Sequence, residues 1–83
     1  MKYELTQHAR EALSERDIST LWLERVLQSP ERTEPDKQDA GLTHHLGKIA
    51  EYGNRVLRVV TNDQTVPARV VTVYFDRKMK GKL

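Results

Sequence analysis

Two β-rich runs, Arg55–Thr61 and Arg69–Arg77, carry the side chains in this chain best suited to chemistry. Side chains alternate faces along a strand. In the first run Leu57 and Val59 fall on one side, with Val56, Arg58 and Val60 on the other. In the second, Val71, Val73 and Phe75 take one side and Val70, Thr72, Tyr74 and Asp76 the other. If the two strands are neighbours, Arg58, Thr72 and Tyr74 share a face. A guanidinium offers a planar, permanently charged fork of donors that matches phosphate oxygens. The two hydroxyls can donate to the same oxygens. The set therefore reads as a floor for a phosphate ester, against the plainer reading of a wet sheet face along which Arg58 snorkels to water.

Proton transfer near neutral pH calls for a histidine, and there are three. His8 falls in the first turn of a predicted helix, where the macrodipole disfavours the imidazolium and favours a neutral ring able to accept a proton. Arg16, two turns on, can line the same side or pair with Glu15 or Asp17. His44 and His45 invite a metal reading, but adjacent strand residues point to opposite faces and cannot share an ion. A phosphate contact suits one of them better. With no cysteine and no convergent carboxylates, neither a metal site nor a cofactor is expected. Nucleotide-binding glycine loops and serine elbows are absent from the sequence.

The elements that must position these groups follow from pattern. Lys2–Leu5 reads as a short strand. Thr6 is an N-cap for a helix running to about Arg16 on a stripe of Ala9, Ala12, Leu13 and Arg16. Asp17 or Ser19 caps a second helix, whose broad apolar face (Leu21, Trp22, Leu23, Val26, Leu27) suits a sheet, and Pro30 marks its end. Pro30–Ala40, with two prolines and no apolar residue before Ala40, reads as an exposed and mobile connection. Gly41–Glu51 is a strand, Tyr52-Gly53-Asn54 a turn, Arg55–Thr61 a strand, Asn62–Val66 a loop, and Pro67 opens the last strand. The expected fold is α+β in the order β-α-α-β-β-β, an antiparallel sheet with two helices packed on one face.

The 83 residues make one small domain that buries roughly 60–65% of its unfolded surface. Absence of cysteine fits a reducing cytoplasm, the first residues do not form a signal peptide, and no apolar run approaches the ~20 residues needed to span a bilayer. Charge is uneven. Residues 1–42 hold six basic and nine acidic side chains, residues 43–83 eight basic and three acidic. The tail 77–83 has four cations (Arg77, Lys78, Lys80, Lys82) and no acid. Such a distribution points to an anionic partner, nucleic acid above all, or to a solvated tail that aids solubility.

The stretch Thr6-x-His8-Ala9-x5-Ser14-x-Arg16-x-Ile18-Ser19, with a second helix ending Val26-Leu27-x-x-Pro30, resembles the family called domain of unknown function 4258. Leu57-Arg58-Val59-Val60 and Val70-Val71-Thr72-Val73-Tyr74, before a basic end, are similar to it as well. That family is grouped with small bacterial toxin ribonucleases of the RelE and BrnT kind. The resemblance implies a RelE-like fold and a toxin–antitoxin setting. It also implies metal-independent RNA cleavage, in which a ribose 2′-hydroxyl attacks the adjacent phosphate. Carried across, His8 is base or acid, Arg58 the transition-state cation, and Thr72 and Tyr74 positioning groups. Arg16, His44, Lys48, Arg77, Lys78 and Lys80 are the expected RNA contacts. The implied partners are RNA, free or on the ribosome, and an antitoxin protein, with no membrane. The alternatives are a non-catalytic nucleic-acid-binding or protein-interaction module on the same scaffold, or a small regulatory oligomer.

Overall fold

A computed structural model of the protein describes residues 2–83. It has strands β1 (Tyr3–Leu5), β2 (Arg32–Pro35), β3 (Leu42–Ile49), β4 (Arg55–Asn62) and β5 (Ala68–Phe75). Helices α1 (Gln7–Glu15) and α2 (Thr20–Gln28) lie between β1 and β2. The sheet order is β1-β5-β4-β3-β2. The strands from β2 to β5 pair antiparallel in succession, while β1 lies parallel to β5. The architecture is thus α+β, with a mixed five-stranded sheet.

Two sequence expectations are corrected here. The first is the purely antiparallel, four-stranded sheet. A chain that leaves β1 through two helices comes back to the sheet at its far edge, and β5 then runs alongside β1 in the same sense. The second is Pro30–Ala40, which is not only a connection. Its Arg32–Pro35 stretch is an edge strand, in register with Leu46–Thr43 of β3. Polar side chains on both faces hid it, and Pro35 is tolerated because an edge strand can spare an N–H. Flanking backbone bonds, Glu31 N–H to Leu46 O at 2.8 Å and Asp36 N–H to Leu42 O at 3.1 Å, hold both ends.

The helices form where their caps and stripes require. The Thr6 hydroxyl accepts from Ala9 N–H at 3.1 Å, and Ser19 accepts from Leu21 N–H at 3.2 Å. Ile18, between the helices, is buried. Ala9, Ala12 and Leu13 of α1 and Leu23, Val26 and Leu27 of α2 pack with Ile49, Leu57, Val59, Val70 and Val73 in one core. Each large aliphatic group buried this way contributes roughly 1.5–3 kcal/mol. Gly47 of β3 lies under α2: a Cβ there would stand 3.1 Å from Val26 Cγ2, so the bare backbone lets the helix close in.

Strict alternation fails at one place. Register shifts between Val60 and Thr61, so that Val60 opposes Thr72 while Thr61 opposes Val70. The extra residue, Val71, turns Val70 into the core rather than onto the wet face. Thr72, Tyr74 and Asp76 keep the face that alternation assigns them.

α1 is tied to the sheet edge. β1 covers β5 only at Ala68–Val70. Beyond it, the Thr6 hydroxyl donates to Val71 O at 3.3 Å and Arg16 Nη1 to Val73 O at 2.8 Å. Both ends of the helix thereby satisfy edge carbonyls that would otherwise be left to water.

Candidate functional site

The face of the sheet away from the helices carries a polar cleft of about 610 Å³, lined by Glu34, Pro35, Asp36, Lys37, Gln38, His44, Arg58, Tyr74 and Asp76. Arg58 lies at its centre and is 8% exposed. Its Nε donates to Asp76 Oδ2 at 2.9 Å, and Nη2 lies 2.8 Å from the same oxygen. Nη1 donates to Glu34 Oε1 at 3.0 Å and meets His44 Nδ1 at 2.9 Å. Burial works against the charge, but the hydrogen bonds to Glu34 and Asp76 outweigh it and hold the guanidinium above its ordinary value.

The tautomer of His44 follows from its partners. Arginine can only donate, so Nδ1 presents a lone pair and Nε2 carries the hydrogen. Nε2 therefore donates to Asp36 Oδ1, 2.7 Å away. Asp36 is itself fixed, its Oδ2 accepting from Gln38 N–H at 3.1 Å and Asp39 N–H at 3.0 Å. The His44 bond, then the two amide bonds, hold its carboxyl below the usual 3.8. Both ring nitrogens of His44 are thus engaged in the resting cleft, Nε2 by Asp36 and Nδ1 by Arg58.

The remaining sequence candidates divide cleanly. Tyr74 opposes Arg58 across the β4–β5 ladder and lines the cleft. Thr72, two residues away on the same face, lies 3.3 Å from His8 Nε2 through its Oγ1. Because α1 is tied to the β5 edge, His8 reaches round it. A histidine on a helix behind the sheet and a threonine on its front therefore touch. Arg16, an expected RNA contact, donates instead to Val73 O on the outer edge of β5. Lys48, two strands away on β3, is 3.5 Å from Glu31 and 3.4 Å from the Leu83 oxygen. Arg77 and Lys78 begin a 3₁₀ turn (Arg77–Met79), capped by Asp76 Oδ1 on Lys78 N–H at 3.0 Å. This end folds back on the sheet through Asp76 N–H to Val56 O at 2.8 Å.

His45 takes the opposite face from His44, as adjacent strand residues must. Its Nε2 lies 3.0 Å from Thr61 Oγ1, whose hydroxyl donates to Asp63 Oδ1 at 3.0 Å. The hydroxyl hydrogen is spent on Asp63, so His45 Nε2–H is the donor and its Nδ1 is a buried lone pair without a partner. Burial holds this imidazole below its usual 6.5. Among the described residues no three histidine, aspartate or glutamate side chains converge as metal ligands, and no helix is long and apolar enough to cross a membrane.

Sequence reasoning passed over Glu34 and Asp36. They stand two apart, and in a strand such a pair shares a face. That signal was present but lay in a segment without apolar alternation. Alternation gives Asp76 its face, but its role as the carboxylate that seats Arg58 belongs to the folded chain.

Fold and site define a small α+β protein with a cleft of charged and ionisable groups on the sheet face away from the helices. The chain belongs to the family described as Domain of unknown function (DUF4258), whose model matches residues 5–75. No curated protein and no solved structure matches it.

Proposed function

We propose that the protein is a small metal-independent endoribonuclease of the toxin type, with a RelE-like arrangement of its sheet and a cytoplasmic RNA substrate. The observation that supports this best is His44 held between Asp36 and Arg58 in a cleft that also presents Tyr74. RNA cleavage by its own 2′-hydroxyl asks for a base at that hydroxyl, a cation at the phosphoryl oxygens and an acid at the leaving oxygen.

As the incoming phosphate draws Arg58 Nη1 away from His44, the freed Nδ1 takes the 2′-hydroxyl proton while the 2′-oxygen bonds to phosphorus. Arg58, seated on Asp76, meets the charge that builds on the phosphoryl oxygens, and the incoming phosphate replaces Glu34 at Nη1. The bond from phosphorus to the 5′-oxygen breaks, and Tyr74 protonates that oxygen, leaving a 2′,3′-cyclic phosphate. His8, hydrogen-bonded to Thr72, borders the path of the strand. An antitoxin protein that covers the cleft would be the natural partner of such an enzyme.

The test is cleavage of single-stranded RNA in EDTA by wild type, His44→Ala and Asp36→Asn. The expected rate loss for His44→Ala is about 10²–10⁴-fold, the usual worth of a positioned base. A 2′-O-methyl group at the scissile ribose should block the reaction. An inert wild type, or cleavage indifferent to both changes, would refute the proposal.

A second reading is supported by Arg58 itself. With Glu34 and Asp76 both on its guanidinium, its charge is already balanced, as suits a structural centre in a non-catalytic RNA-binding or protein-interaction module. RNA that is shifted on a gel but left intact would favour it.

A further inference from the structure

The opposite side of Asp76 holds a second hollow, of about 230 Å³, lined by Arg55, Phe75, Asp76, Arg77 and Lys80. Its apolar wall, Phe75, belongs to an aromatic cluster. The rings of Phe75 and Tyr52 are 5.0 Å apart between centroids, those of Trp22 and Tyr52 5.6 Å, and those of Trp22 and Phe75 6.1 Å. Arg55 lies over Tyr52 with its guanidinium carbon 4.7 Å from the ring centroid, so Tyr52 holds that cation at the rim.

Three cations thus surround one aromatic wall. The single acid among them, Asp76, is already committed to Arg58 and to the Lys78 amide. An apolar wall the size of one ring, with unspent positive charge at its lip, matches a planar heterocycle joined to a phosphate. Asp76 also lines the His44–Arg58 cleft, so it is the partition between the two cavities. Phe75 faces the helix side of the sheet and Tyr74 the cleft side, so a strand that occupies both cavities has to pass round the end of β5 at Asp76.

We infer that the Arg55–Phe75–Arg77–Lys80 hollow binds one nucleotide of a single-stranded RNA, its base against Phe75 and its phosphate between Arg55 and Arg77. This seat is separated from the cleft by Asp76 at the end of β5 and continues the substrate path proposed above round that end. It builds on the RNA reading, yet its binding does not depend on cleavage. Arg55 was not among the expected RNA contacts. Nothing in strand alternation distinguishes it, because its neighbour Tyr52 comes from the preceding 3₁₀ turn (Ala50–Tyr52).

The experiment measures binding of a fluorescent 2′-O-methyl RNA hexamer, which the proposed reaction cannot cut, by anisotropy over a series of salt concentrations. The wild type should bind with a salt-dependent affinity. Arg55→Ala should weaken binding about 10-fold and reduce the slope of log affinity on log salt by about 0.7, the value for one phosphate on a single strand. Arg77→Ala should act alike, whereas Arg10→Ala, on the exposed side of α1, should match wild type. A hexamer abasic at one position should bind more weakly to wild type and lose less on Arg55→Ala.

Failure of the hexamer to bind wild type would overturn the assignment. So would Arg55→Ala and Arg77→Ala both binding as wild type does, even if the protein cleaves RNA. An acidic peptide that binds at this hollow while the hexamer does not would identify a protein-docking surface instead. Intact hexamer binding with no cleavage of ordinary RNA would refute the enzyme and leave this seat standing.

Discussion

Removing the guanidinium of Arg58 should cost the fold more than any other single change on the open face. Breaking a buried ion pair by deleting one partner typically costs about 3–5 kcal/mol, because the other charge stays behind unpaired. Here two carboxylates would be stranded. Asp76, with 15% of its side chain exposed, keeps most of that cost, while Glu34, 40% exposed, can turn to water and keeps little. The expected loss for Arg58→Met is therefore about 2–4 kcal/mol. A domain of this length holds about 4–12 kcal/mol in total, so the substitution consumes a large fraction.

The assay is urea unfolding followed by Trp22 fluorescence, on Arg58→Met, Asp76→Asn, Glu34→Gln and the doubles needed for mutant cycles. Coupling of Arg58 to Asp76 should exceed about 1.5 kcal/mol, and coupling to Glu34 should stay under about 1 kcal/mol. The triple variant that removes all three charges should recover part of the loss, since no charge is then left alone. An Arg58→Met protein as stable as wild type would refute the reasoning, and so would equal coupling to the two carboxylates. The prediction also bears on cleavage assays, because lost activity in an Arg58 variant has to be read beside its stability.

Gly47→Ala should destabilise by about 1–3 kcal/mol, as overpacking does, because the stiff and buried Val26 cannot retreat from a Cβ at 3.1 Å without moving α2. Unchanged thermal stability of that variant would show that the helix has room. His45, held below its usual 6.5, binds a proton more readily unfolded than folded. Stability should therefore fall as pH drops through about 6.5 toward the lower folded value, and His45→Gln should remove that part of the slope between pH 7.5 and 5.5. An identical pH slope in the variant would contradict the buried lone pair.

Much of this molecule is legible in local pattern. The buried stripe of Leu23, Val26 and Leu27, the cap Thr6, and the alternation that sends Arg58, Tyr74 and Thr72 to the face opposite Leu57 and Val59 all follow from local pattern. They depend on neighbours a few residues apart, so a single chain read in order contains them. The choice of Ser19 over Asp17 as cap, and the 72% exposure of Leu21, read into the same apolar face, are not contained in it. The β2 strand does not follow in that way. Arg32–Pro35 has no apolar face, and it is a strand only because β3 offers it an edge and Arg58, from β4, offers Glu34 a partner.

The same distinction holds for the site. That Arg58, Thr72 and Tyr74 share one face of the sheet can be read from residue type and spacing. Three further facts belong to the folded state: Arg58 is shared by Asp76, Glu34 and His44, His8 rounds the β5 edge to Thr72, and one extra residue at Val71 turns Val70 inward. Each joins groups separated by ten to more than sixty positions, or depends on a register that only paired strands define. Periodicity determines which way a side chain points. Which charges it meets is decided when distant segments close on one another and every buried polar group must find its partner.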